Sequence, residues 1–184
     1  MVAPTPALEN ILSHLPHFLH ELEQGVLDHG LSPSIGTMDH VCYRALDNAE
    51  YLTLRAELAQ YGEVLVEGMI GHRPIITFKL FQPLASPFGA IPSLELAAPK
   101  AGKQHTHGLE HGEIVVPNLQ QLLSDYPWIP FNTKGLQGHA PEVTLSVAPY
   151  QIKFHCLSLA DTIALEIAHN QVIPVPEDYF QITL

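Results

Sequence analysis

Asp39-His40-Val41-Cys42-Tyr43-Arg44-Ala45 and Glu110-His111-Gly112-Glu113-Ile114-Val115-Val116 are the two stretches whose reading decides the fold. Both are short runs rich in residues that favour strands, and in each a His stands near the start. Downstream of the first, the pattern predicts a helix from Asn48 to Tyr61 capped by Asn48 and stopped by Gly62, then strands over Glu63–Glu67, Pro74–Phe81 and Ile91–Ala97. After the second run the order repeats. A short helix spans Asn118 to Asp125, a loop rich in Pro and Gly follows, and strands are predicted over Val143–Val147, Tyr150–Leu157 and Ile163–His169. The chain therefore reads as βαβββ twice, and such self-similarity sets the architecture before any finer argument. The interval repeats too: 55 residues separate His40 from Glu95, and 55 separate His111 from Glu166.

Upstream, Leu8, Ile11, Leu12, Leu15, Phe18, Leu19, Leu22 and Val26 recur at helical spacing, with Pro16 as a kink and Gly30 with Ser32-Pro33 as the stop. The expected fold class is α+β, with residues 1–36 a helical extension, 37–100 a first βαβββ module and 101–184 a second, all in one structural domain. Period-two alternation puts His40, Cys42 and Arg44 on one face of their strand and His111 with Glu113 on one face of theirs. Ser93, Glu95 and Ala97 share a face, as do Ala164, Glu166 and Ala168. The polar members line one side of a curved sheet and the helices cover the other.

Composition narrows the function classes. The 184 residues, 46% of them hydrophobic, are enough for a substantial core. The formal net charge is −11, with 8 Lys and Arg against 19 Asp and Glu, so the clustered cations that bind phosphate backbones are absent and nucleic acid is not expected as a partner. No apolar run approaches the roughly 20 residues needed to span a bilayer, and the first ten residues lack the pattern of a secretory signal. These features predict a cytoplasmic protein without a membrane partner. Cys42 and Cys156, each within an apolar run, are expected as reduced core thiols. No phosphate-binding Gly-rich loop and no Gly-x-Ser-x-Gly elbow is present.

Paired βαβββ modules with a His on the first strand and a Glu on the last resemble the vicinal oxygen chelate superfamily, which includes glyoxalase I, extradiol dioxygenases and bleomycin-resistance proteins. More narrowly, Asp39-His40, Gly71-His72-Arg73-Pro74-Ile75, Phe78-Lys79-Leu80, Leu94-Glu95-Leu96 and Glu110-His111-Gly112-Glu113-Ile114-Val115 look like the YecM family. The resemblance covers most of the chain and implies a glyoxalase-like open barrel with a divalent metal site. Carried over, the superfamily's ligand positions fall on His40, Glu95, His111 and Glu166. No residues match glutathione-binding positions.

Two imidazoles and two carboxylates form a mixed nitrogen and oxygen donor set suited to Zn, Ni, Co, Mn or Fe, and too nitrogen-rich for Ca. Glu166 or Glu95 could leave the metal and serve as general base. A three-ligand site of His40, His111 and Glu166 is the alternative. Each such residue alone is more commonly a satisfied polar group of a strand. Arg44, Lys79, Lys153 and His155 are the candidates for receiving an anionic group of a small-molecule substrate; for the cations among them, ion pairing with Glu113 or Glu142 is the competing role. His105 and His107 are expected in a loop leading into the second module. The expected function is a metal-dependent isomerase, lyase or dioxygenase acting on a small, oxygen-rich molecule. A non-catalytic binder of the same fold is the rival. Nothing in the sequence fixes oligomeric state.

Overall fold

One seven-stranded sheet carries the fold, in the order β2-β3-β4-β1-β5-β7-β6. The computed structural model describes residues 6–100 and 107–182. The strands are β1 (Thr37–Arg44), β2 (Gly62–Ile70), β3 (Arg73–Ser86), β4 (Gly89–Ala97), β5 (Gly108–Val115), β6 (Glu142–Val147) and β7 (Tyr150–His155). The helices are α1 (Pro6–Asp28), α2 (Asn48–Leu58), α3 (Leu119–Asp125), α4 (Leu159–Ala168) and α5 (Tyr179–Ile182). The first module is βαβββ as expected, with β1 parallel to β4 and the hairpins β2-β3 and β3-β4 beyond it. Gly71 (φ 57°) and His72 (φ 67°) form the β2-β3 turn, a primed geometry that matches strand twist.

The second module departs from the expectation. Its β5 pairs in parallel with β7, and β7 is antiparallel to β6, as β1, β4 and β3 are arranged in the first module. The counterpart of β2 is reduced to a single bridge between Asn132 and Thr144. The expected strand Ile163–His169 is helix α4 instead. Ser158 caps that helix, its side chain accepting from the Asp161 amide. Beyond α4 the chain crosses to the opposite edge, where the Met69 amide of β2 donates to the Ile173 carbonyl at 2.8 Å.

Helix α1 buries Leu8, Ile11, Leu15, Phe18, Leu19, Leu22 and Val26 in the core. Burial of a side chain of this size stabilises by about 1.5–3 kcal/mol, so the extension is part of the core rather than an appendage. Pro16 is exposed and removes a bond only from the solvent side of the helix. The same apolar layer takes Met38, Val41, Ile114, Val143, Leu145, Ile152 and Phe154 from the sheet. At Gly112 an added Cβ would come within 2.6 Å of Met38 Cε and 3.1 Å of Leu22 Cδ1, so the missing side chain lets α1 settle on the central strands.

Two smaller expectations change. The cap of α2 is Asp47, whose carboxylate accepts from the Glu50 amide at 2.8 Å, and not Asn48. Both cysteines are free, but only Cys42 is buried; Cys156 is exposed.

Candidate metal centre

The face of the sheet opposite α1 carries a continuous row of buried polar side chains. It is assembled across the antiparallel pair β1 and β5, where His40 stands opposite Glu113, Val41 opposite Gly112, and Cys42 opposite His111. Two bulges interrupt this pairing, with Asp39 as the extra residue on β1 and Glu110 as the extra residue on β5. A bulge breaks the alternation of faces. Asp39 and Glu110 therefore reach the same polar row as the histidines that follow them. Outside the central pair, Cys42 stands beside Glu95 of β4, and Glu113 beside Lys153 of β7.

Glu113 is the centre of the row. Its Oε1 lies 3.2 Å from His111 Nε2, 3.5 Å from His40 Nε2 and 3.3 Å from Lys153 Nζ. Neither Nε2 atom has hydrogen-bond geometry to any described partner, and His40 and His111 are 1% and 6% exposed. On its other side the His40 Nδ1 group donates to Asp39 at 3.2 Å, and His155 Nε2 donates to the same carboxylate at 3.1 Å. Asp39 also accepts the Leu159 amide at 2.6 Å, tying the first turn of α4 to β1. Lys153 makes a second ion pair, 3.2 Å to Glu142, and Arg44 pairs with Glu110.

The electrostatics follow from this packing. Burial opposes charge on His40, but the nearby Glu113 and the bond to Asp39 outweigh it and raise its pKa from 6.5 to about 10. His111 is raised as well: burial works against it, and Glu110 and Glu113 prevail. Burial likewise opposes the charge on Glu113, yet His40, His111 and Lys153 hold it well below the usual carboxylate range. Asp39 is lowered to about 2, because His155 and His40 overcome its burial. Burial, followed by the proximity of Glu95 and Glu110, pushes the Cys42 thiol up.

Three overlapping sets of potential ligand atoms result, each confined within 4.8 Å: Asp39, His40 and His155; His40, His111 and Glu113; and Cys42, Glu95 and His111. Of the expected ligands, His111 shares one set with His40 and another with Glu95, while His40 and Glu95 share none. Glu166 is on α4, half-buried, and belongs to none of these sets among the described residues. Strand register gives the reason. Glu95 stands beside Cys42, and the position that matches it in the second module is Lys153 beside Glu113. The cationic candidates divide: Lys153 and Arg44 are in ion pairs, His155 is bonded to Asp39, and Lys79 is exposed on β3. His107 lies apart from the row, beside Tyr43 and Glu50, each at 3.0 Å; His105 is outside the described residues.

Glu113, Asp39 and Glu110 were not among the expected ligands. Glu113 shares a face with His111 by simple alternation, and that signal pointed to it; the other two are hidden by bulges that a strand pattern does not reveal. Next to the row, a cavity of about 290 Å³ is lined by His139, Pro141, His155, Cys156, Thr162 and Leu165. His155 belongs to both, which joins the cavity to the buried row.

One solved structure agrees with this architecture. The solved structure described as Structural Genomics, Protein EC4020 superimposes with a TM-score of 0.76 at 29% identity, over 90% of this chain and 98% of that one. A methylmalonyl-CoA epimerase in complex with methylmalonyl-CoA and NH4+ gives a TM-score of 0.48 at 14% identity, over 69% of this chain and 98% of that one. Protein YecM of Escherichia coli (strain K12) is 35% identical over 176 residues, 86% of this chain and 94% of that protein. The family model described as YecM protein matches residues 7–134. With a βαβββ unit followed by its shortened copy around a shared central strand pair, the chain has an α+β fold built on one seven-stranded sheet and belongs to the YecM family.

Proposed function

We propose that the protein is a divalent-metal-dependent enzyme of the vicinal oxygen chelate type, an isomerase, lyase or dioxygenase acting on a small, oxygen-rich, anionic molecule. One observation carries the reading: two buried imidazole nitrogens, His40 Nε2 and His111 Nε2, converge on Glu113 Oε1 without a hydrogen-bond partner. Buried polar atoms are rarely left unpaired, and a ligand is a common explanation when they are. The ion would be held through His111, which belongs to one set with His40 and Glu113 and to another with Glu95, and these donors suit Zn, Ni, Co, Mn and Fe. Once bound, such an ion supplies Lewis-acid polarisation of a carbonyl or enediolate oxygen.

The chain's own groups account for the rest. Asp39 fixes the orientation of His40 through Nδ1, as carboxylates commonly do for metal-binding histidines. Glu95 serves as the proton acceptor; Glu166 on α4 is the second candidate for that task. Lys153 supplies positive charge and His155 a hydrogen-bonding nitrogen for an anionic substrate group, with the apolar part of the substrate in the adjoining cavity beside Leu165. The rival reading, a binding protein that uses no metal, draws on Lys153, which already provides Glu113 with an internal cation.

Elemental analysis of the native protein beside a His40→Ala, His111→Ala double variant separates the two. Near-stoichiometric metal that vanishes in a folded variant is the expected result. Absence of bound metal in the native protein, even after incubation with each candidate ion, would overturn the enzyme reading in favour of the binder.

A further inference from the structure

The polar row is built from two half-sites related by the pseudo-twofold axis that passes between Val41 and Gly112. Exchange of β1 and β5 carries His40 onto His111, Cys42 onto Glu113 and Asp39 onto Glu110, because His40 faces Glu113 as His111 faces Cys42. The flanking parallel strands extend the match, since Glu95 is beside Cys42 as Lys153 is beside Glu113. One half-site is therefore His40, Glu113 and Lys153; the other is His111, Cys42 and Glu95.

Their charges differ. In the first, an ammonium is built in, with Lys153 Nζ 3.3 Å from Glu113. In the second, a carboxylate occupies the matching position, beside a thiol and an imidazole whose ligating atoms all lie within 4.8 Å of one another. Arg44, on the same face of β1, is engaged by Glu110, and Lys153 by Glu113 and Glu142. Cys42 is 1% exposed and His111 6% exposed, and neither ring nitrogen of His111 has a hydrogen-bond partner in the described residues. This half-site has the donors for a cation where its twin has a cation of its own.

We infer that Cys42 is a metal ligand, completing with Glu95 and His111 a half-site for a thiolate-binding divalent ion. The inference rests on the metal-dependent reading and narrows it. On binding, a sulfur-to-metal bond forms, the S–H bond breaks and its proton passes to the buffer. No oxidant or reductant is needed. A thiolate beside an imidazole and a carboxylate selects Zn or Co over Mn and other oxygen-preferring ions.

Cobalt tests this directly. The reduced, metal-free full chain, in a Cys156→Ser background that removes the exposed thiol, is titrated with Co²⁺ and followed by absorption. The expected result is visible ligand-field bands accompanied by a near-ultraviolet thiolate-to-cobalt band. In Cys42→Ser the near-ultraviolet band should disappear while ligand-field bands persist. Cobalt affinity should fall by more than about tenfold, the lower end of what removal of even a group supporting a ligand costs. Ligand-field bands without the charge-transfer band, or a band unchanged in Cys42→Ser, would overturn Cys42 as a ligand and leave the metal reading intact. No bands of either kind would overturn both.

Discussion

Changing Glu113 to Gln in the metal-free protein keeps the shape of the side chain and removes the charge on which His40, His111 and Lys153 converge. Lys153 would then retain only Glu142, and protonated His40 only Asp39. Removing one partner from a buried ion pair costs about 3–5 kcal/mol when the remaining charge is fully enclosed. Lys153 and Glu142 are 24% and 31% exposed, so water screens part of this loss. The expected destabilisation is therefore about 2–3 kcal/mol. Urea unfolding in the presence of a chelator measures it. The pH dependence supplies a second readout. With the pKa of His40 raised from 6.5 to about 10, its stabilising contribution is complete below the unfolded value and lost as pH rises through about 10. Glu113 is the carboxylate that raises His40 most through charge, so the variant should lose less stability across that alkaline window than the parent. A loss below about 0.5 kcal/mol, the range of an ordinary surface change, together with an unaltered pH profile, would refute Glu113 as the organising charge.

Gly36→Ala places a Cβ against the Val115 carbonyl oxygen, a backbone atom that cannot rotate away, and should cost about 1–3 kcal/mol by thermal or chemical unfolding. Asp39→Ala removes the acceptor of the Leu159 amide and should speed hydrogen exchange at the start of α4 more than in the α1 core. Because Asp39 is depressed from 3.8 to about 2, its contribution in the parent is present above the unfolded value and lost as pH falls through about 2. An acid-unfolding comparison should show that the variant lacks this part of the profile. Glu166→Gln should leave metal occupancy unchanged while Glu95→Gln lowers it, as elemental analysis of the two would report; the reverse ranking would return Glu166 to the ligand set.

The first module was legible almost in full, and the second as far as the strand Tyr150–His155, only the last expected strand, Ile163–His169, being a helix instead. His40 and His111 could be found because each sits in a short, clean strand pattern. Glu95 followed from the alternation of Ser93, Glu95 and Ala97. Glu166 followed from a coincidence. Ile163, Leu165 and Ile167 alternate as they would in a strand, yet Ser158 with Asp161 starts a helix, and Leu165 and Ile167 remain 47% and 51% exposed. Local capping prevailed over period-two patterning there. The equal 55-residue intervals consequently link positions that strand register does not equate. Lys153, 42 residues past His111, is the register match of Glu95. Its shorter interval reflects the near loss of the strand before β6. Asp39 and Glu110 were out of reach because a bulge is a property of pairing between distant segments, not of either segment alone.

The reduced strand and the crossing segment after α4 also determine how the sheet ends. At one margin the Met69 amide is engaged by Ile173 of the same chain; at the other, Thr144 exchanges both main-chain bonds with Asn132. An open edge is a template on which another chain can add a strand. Here each margin is interrupted by one short tether, and on β6 alternation leaves the main-chain groups of Glu142 and Ser146 facing outward on either side of it. An incoming strand would have to dislodge Asn132 before gaining a continuous ladder. The single bridge between Asn132 and Thr144 thus serves the molecule as a guard against edge-to-edge association.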